Sequence, residues 1–391
     1  MIEIVLLSLV GLGAVIWGID EVRDDDDDNN NSTEKPTVEG PTKYIGDDED
    51  NEFEGTDADE LAILNGGDDT ADMLGGNDEV LAGTGDDLVT GGAGDDSIDG
   101  GWGRDVLYGN DGADTLRMGE YRDIGYGGAG DDLITGGQGN DLVYGGDGKD
   151  DISGGTENDT LFGGEHADLI SGGDGNDAIS GDNGWDELSG GAGDDVVNGN
   201  AGNDTLYGGF GEDELRGGIG DDDLLGGAGA DFMLGADGSD VLYGEGGKDE
   251  IYGGAGNDLI TGAGFDLAAA ESGVTGFDLV LNDGAADDLY GGDGDDLMIL
   301  QNGDSATGGD GNDGFAIDVR EDIETAAVIK DFVAGEDSIF IDYDADAGVP
   351  LVEVEDLEDG SGATVLVNGA AVAVVSGGAG LTAGEVTLVP V

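Results

Sequence analysis

Gly127-Gly128-Ala129-Gly130-Asp131-Asp132-Leu133-Ile134-Thr135 is one unit of a nine-residue frame, Gly-Gly-x-Gly-x-Asp-x-U-x, in which U is a large apolar residue. The frame runs without insertion or deletion from Ala82 to Thr261, twenty consecutive units. Its sixth place is aspartate at Asp87, Asp96, Asp105, Asp114 and every ninth residue to Asp258. Its eighth place is apolar at Val89, Ile98, Leu107, Leu116, Ile134, Val143 and onward to Ile260, broken only by Gly125. A repeat this short and strict predicts a parallel β-solenoid.

The spacing has a direct chemical reading. Six glycine-rich residues can follow left-handed dihedrals and bring backbone carbonyls and a carboxylate around one point. Oxygen-only ligands suit a hard cation: calcium accepts about 6–8 oxygens at roughly 2.3–2.6 Å, whereas magnesium demands a tighter octahedron and transition metals prefer nitrogen or sulfur. The last three residues of each unit predict a short strand whose middle side chain alone points inward.

With these repeats the chain resembles the repeats-in-toxin (RTX) family of secreted calcium-binding proteins, from Gly55 to Ala316. The resemblance implies an all-β fold, a calcium-binding parallel β-roll (β-helix solenoid) with a C-terminal β-rich cap. Two nonapeptides would make one coil, with Asp87, Asp105 and Asp123 along one edge and Asp96, Asp114 and Asp132 along the other. Each Ca2+ would sit between neighbouring loops of one edge, giving roughly eighteen sites in a stretch about 48 Å long. The metal ligands implied are Asp87, Asp96, Asp105, Asp114, Asp132, Asp141, Asp150, Asp177, Asp186, Asp195, Asp204, Asp213, Asp222, Asp231, Asp240, Asp249, Asp258 and Asp296. Tyr121, Glu157 and His166 replace a loop glycine, so the ions beside Asp123, Asp159 and Asp168 are expected to be weak or absent, unless those loops adapt.

Composition agrees with a metal-dependent fold. A formal net charge of −82 opposes compaction by self-repulsion. Without cations the repeats are expected to be disordered. Roughly eighteen divalent ions would return about +36 of charge, making binding free energy into folding free energy. Extracellular calcium modules have dissociation constants around 10⁻⁴–10⁻³ M, so the sites would fill outside the cell. The chain has no cysteine, consistent with a secreted bacterial protein that relies on metal rather than disulfides. With only 11 Lys and Arg, nucleic acid is not an expected partner.

Outside the repeats the chain divides into three further parts. Residues 1–19 contain the uncharged run Ile4 to Ile19, read as an uncleaved membrane anchor, with a signal peptide or a buried segment as alternatives. Residues 20–45 form an acidic linker containing Asp24 to Asp28, Pro36 and Pro41. The roll spans 46–316. Its degenerate start, Gly55 to Ala82, has Leu61, Leu74 and Val80 as expected inward residues, and an insertion, 262–281, reads as a loop bulging from one coil, with a helical turn near Ala268. Two regular units follow, then an eight-residue irregularity before Gly308. Residues 317–391 read as a separate β-rich module with a hairpin, Ala363 to Val367 and Ala371 to Val375, around a type I′ turn at Asn368-Gly369. In the resembling family this end also carries a type I secretion signal.

Catalysis finds few candidates. The only histidine, His166, lies inside a repeat, no His-Glu-x-x-His motif exists, and no large non-repeat segment remains. The reading is a non-enzyme, with a calcium-stabilised secreted hydrolase or carbohydrate-active protein as the alternative. The outward ninth place of alternate units carries Tyr108, Tyr126, Tyr144 and Phe162, a stack that is either a cross-strand stabiliser or a strip for a glycan, a surface protein or a second copy. Ice binding would call for a uniform outward Thr/Asn array, while the third place varies through Thr84, Ala93, Trp102, Asp111 and Glu120. The expected role is structural or adhesive, at the surface of a bacterium or outside it.

Overall fold

The computed structural model describes residues 43–265, 280–281, 285–301, 303–319, 325–345, 348–377 and 381–390. The apolar run, the acidic linker up to residue 42, and the expected helical turn near Ala268 lie outside the described residues. Every regular element described is a strand, and no described helix is long and apolar enough to cross a membrane.

Each nonapeptide contributes one strand, turns a corner and passes to the opposite sheet. Leu88–Ala93 pairs in parallel with Val106–Asp111, and Ser97–Trp102 with Thr115–Glu120. Two nonapeptides therefore make one coil, and equivalent residues stack in register, as in Tyr108↔Tyr126 and Leu107↔Gly125. Parallel sheets buried on one face need an apolar residue at each inward place, and the eighth-place residues supply it: Val89, Ile98, Leu107, Leu116 and their equivalents to Ile260 are fully or almost fully buried.

The strands are longer than the expected three residues. They run six, from the seventh place through the third place of the next unit, as in Leu133–Gln138, and bury two positions, Ile134 and Gly136. Backbone pairing continues past the glycines because it needs no side chain, while the positive φ of Gly137 bends the chain toward the corner. A first-place residue thus also points inward. Met118 uses this at the one coil whose eighth place is glycine: it is fully buried, and a Cβ on Gly125 would lie 2.8 Å from its Sδ.

The same exchange corrects the reading of the first coils. Strands at Lys43–Ile45, Glu52–Glu54, Leu61–Ile63 and Thr70–Asp72 keep the nine-residue phase, so among the described residues the roll already runs from Lys43. Of the three expected inward residues only Val80 is buried; Leu61 is half-buried and Leu74 is 42% exposed. The core is filled instead by Ala62 and Ala71 at the eighth place, with Leu64 and Met73 at the first. Small residues at one inward place are compensated by large ones at the other, as close packing requires.

After the regular stretch, Glu250–Ala255 pairs with Asp288–Asp293 and Leu259–Thr261 with Leu297–Ile299, so the solenoid resumes in phase beyond the insertion. Gly264–Phe265 and Val280–Leu281 pair antiparallel at its base. The eight residues after Ile299 form a coil segment one residue short, with Ala306 buried in the core. The C-terminal residues extend both sheets rather than forming a body of their own. Ala327–Ile329 and Ser338–Tyr343 continue the two parallel sheets, followed by Ala370–Ser376 and Val386–Pro390. The predicted hairpin is present, with Asn368 and Gly369 both at positive φ (52° and 85°). Val352–Asp356 ends one sheet and leaves Glu353, Glu355 and Asp356 exposed, charges that discourage edge-to-edge pairing.

Candidate metal centre

The corner between two strands is built from the fourth to sixth places. Glycine at the second and fourth places takes positive φ, as at Gly191 and Gly193 (113° and 134°), and this turns the sixth-place aspartate inward. Asp195 is 1% exposed. Its Oδ1 accepts the Asp177 N–H of the preceding coil at 2.7 Å, and its own N–H donates to Asp213 Oδ1 at 2.8 Å. The same bond recurs along both edges, from Asp87 and Asp105 on one to Asp96 and Asp114 on the other, and it crosses the insertion from Asp258 to Asp296. All eighteen aspartates singled out from the sequence are buried on these two edges.

The second carboxylate oxygen sets the chemistry. At every ninth residue from Asp87 to Asp240, and at Asp258 and Asp296, Oδ2 is buried and accepts no hydrogen bond. A buried, unsatisfied carboxylate oxygen is costly unless a cation or donor meets it. Around it the backbone opens a cradle. A Cβ on Gly100 would lie 2.7 Å from both Asp105 Oδ2 and the Met118 carbonyl oxygen of the next coil; on Gly226 it would lie 2.6 Å from Asp231 Oδ2 and 2.8 Å from the Gly244 carbonyl. At Gly100 and Gly226 glycine is thus required by close approach, and it leaves a carboxylate and a carbonyl of the next coil converging on one point. Among the described residues no three His, Cys, Asp or Glu side chains gather as a metal cluster. The donor set is one carboxylate per loop plus main-chain oxygens, which matches calcium's preference and suits neither zinc nor copper.

Electrostatics point the same way. Removal from water pushes Asp87, Asp96, Asp132, Asp195 and Asp240 up to about 7, against the pull of the backbone N–H each accepts, and neighbouring carboxylates of the ladder add to the rise. Asp123, between Asp105 and Asp141, is pushed to about 8 for the same reasons. A stack of buried acids whose carboxyls are pushed upward by burial and by one another is an arrangement that a row of divalent cations would relieve.

Three loops deviate from the consensus and keep the geometry. Tyr121, Glu157 and His166 take positive φ (85°, 72° and 83°), and Asp123, Asp159 and Asp168 remain buried in the ladder with the same unpartnered Oδ2. Second-place glycine is also replaced, at Asn110, Asp182, Asn200, Ala236 and Glu245, again at positive φ. A second ladder escaped the sequence reading. Fifth-place side chains accept the N–H one coil later, opposite in sense to the aspartate ladder: Asp86 Oδ1 holds Arg104 N–H and Asp194 Oδ1 holds Glu212 N–H, each at 3.0 Å. The frequent Asp and Asn at this place was its signal.

The four aromatics stack as their spacing requires. Ring centroids lie 4.8, 5.1 and 4.9 Å apart from Tyr108 through Tyr126 and Tyr144 to Phe162, with interplanar angles of 3–6°. A second stack, Tyr252 on Tyr290 at 4.5 Å, spans the insertion and was hidden by it. Each inner ring has a neighbour on both faces, so the stack offers solvent its edges.

Comparison with known proteins follows from this geometry. The family model of the RTX calcium-binding nonapeptide repeat matches residues 81–116, 119–152, 144–179, 180–215, 198–233, 208–242 and 234–266. No curated protein matches the chain. Among solved structures it is similar to a hyperactive, Ca2+-dependent, β-helical antifreeze protein from an Antarctic bacterium, at 17% identity over 76% of this chain and 85% of that one, with a TM-score of 0.30. Strict nonapeptide frame, paired aspartate ladders and family match agree: this is a Ca2+-binding β-roll, whose residues 81–266 carry the RTX calcium-binding nonapeptide repeat.

Proposed function

We propose that this protein is a non-enzymatic structural or adhesive element that folds on calcium after export and serves at the bacterial surface or outside the cell. The observation that carries the reading is the pair of buried ladders in which the Oδ2 atoms from Asp87 to Asp240, and those of Asp258 and Asp296, have no hydrogen-bond donor. The eighteen aspartates from Asp87 to Asp258 and Asp296 would hold Ca2+ between loops of one edge, together with first-place carbonyls such as those of Met118 and Gly244. The ion would supply charge neutralisation and crosslink successive coils. The chain supplies the rest: glycine bends that aim the carboxylates, backbone N–H groups that orient Oδ1, and an apolar stack that cannot assemble while the ladders repel. Millimolar calcium outside a cell would switch the fold on, and low cytosolic calcium would leave the chain extended for passage.

Circular dichroism of the full chain tests this. In excess chelator the β signal should be largely lost, and it should return cooperatively between about 0.1 and a few millimolar calcium, with magnesium a poor substitute. An equal β signal in chelator and in calcium would sink the proposal.

A further inference from the structure

We infer that the sheet carrying the aromatic stack also holds a binding groove for a neutral linear oligosaccharide, beside the stack and not on its rings. The inference rests on the adhesive reading above and gives it a site. The groove has a volume of about 700 Å³ and runs across six successive strands of this sheet, from Gly146 to Ala236. It follows the second and third places along the strands of Tyr144 and Phe162, and takes in the outward ninth place only after them, at Asn198, Arg216 and Leu234. Phe162 ends the stack, its register partner being Ser180 rather than another ring.

The lining is hydrogen-bonding on its floor and walls. Asn183 donates one N–H to Glu165 (3.1 Å) and Asn200 donates one to Ser180 Oγ (2.9 Å), whose hydroxyl donates in turn to Asp182 (2.7 Å). Each amide keeps a carbonyl oxygen and a second N–H for a ligand. Arg216 is anchored by Glu214 beside them. Leu234 and the exposed Ile219 add apolar surface for the C–H face of a sugar ring. The amides lie on two neighbouring strands at different places, Asn198 and Asn200 in register with Ser180 and Asp182, and Asn183 in register with Ala201. At ~4.8 Å per strand the six-strand groove has a length that suits an extended chain, which would meet polar side chains of different kinds along it.

Other ligand classes fit less well. Asp147, Glu165 and Asp182 repel phosphate, uronate and nucleic acid, and a peptide finds no strand edge to extend because every strand here is paired on both sides. Stacking of sugars along Tyr126 and Tyr144 is closed off by the neighbouring rings.

The test uses the calcium-loaded full chain on immobilised neutral oligosaccharides of the gluco, manno, galacto and N-acetylglucosamine series, with uronate and sulfated glycans as comparison arms. Neutral glycans should be retained, and Asn198→Leu, Arg216→Ala and Asn183→Ser should each weaken binding about tenfold with an unchanged calcium midpoint. Tyr126→Ser should bind as the parent does. Absence of neutral-glycan binding, preference for the anionic arms, or binding lost with Tyr126→Ser but kept in the groove variants would each overturn the groove. Those results leave the calcium-dependent fold standing, because that fold is judged separately by its circular dichroism.

Discussion

At the scale of single residues, neighbouring aspartates do different work. Asp195 is buried, orients one oxygen on the Asp177 N–H and presents the other, unpartnered, to the interior of the corner. Asp194, one residue earlier, is exposed and holds the Glu212 N–H from outside. Asp195→Asn keeps the shape and an oxygen for Asp177 but removes the charge, so the calcium midpoint should rise clearly. Asp194→Asn should leave it unchanged, and Asp194→Ala should cost no more than about 1 kcal/mol, since water can satisfy the exposed Glu212 N–H. Calcium titrations followed by circular dichroism decide it; indistinguishable midpoints for Asp195→Asn and Asp194→Asn would remove the sixth place from the ligand set.

At the scale of the strand, two inward places share one volume. Met118 occupies the space that Gly125 leaves, so Gly125→Val alone should overpack the coil and destabilise it by about 1–3 kcal/mol. Adding Met118→Gly restores the consensus arrangement of glycine at the first place and an apolar residue at the eighth, and should recover most of that loss. Thermal unfolding of the two variants in saturating calcium measures the coupling. Additive destabilisation would mean that Met118 and Gly125 do not exchange volume. In contrast, Leu206→Ala, in a unit whose first place is Gly199, has no such partner and should cost about 2–5 kcal/mol.

At the scale of the whole molecule, stability should depend on pH in opposite directions with and without calcium. The ladder carboxylates are raised in the metal-free fold by burial, Asp87, Asp195 and Asp296 from an ordinary value near 4 to about 7. A raised folded-state value means that the fold binds more protons than the unfolded chain, so its contribution is present below pH 4 and is lost as pH rises through about 7. In chelator, acidification from pH 8 to 5.5 should therefore increase the β signal. With calcium the ion needs ionised carboxylates, so over the same range the calcium concentration at half-folding should increase. A metal-free β signal that stays flat or falls on acidification would contradict the buried-ladder electrostatics.

The family resemblance implied the two-sheet coil, with its aspartate edges and aromatic stacking, and the sequence by itself determined the nine-residue phase, the inward apolar row and the type I′ hairpin. These follow from short-range rules: a strict period places equal residues on equal positions, and Asn368-Gly369 carries its own turn. What it left open depends on residues that meet only after the chain has coiled. That Leu64 and Met73 fill the core in place of Leu61 and Leu74, that Met118 answers Gly125, and that Tyr252 stacks on Tyr290 across the insertion are settled by neighbours a coil or more away. The same holds for the fifth-place ladder, the covered ring faces and the groove beside the aromatic stack. Each arises where one coil lies on the next, and only the stacking of successive coils, with its fixed register, brings those side chains together.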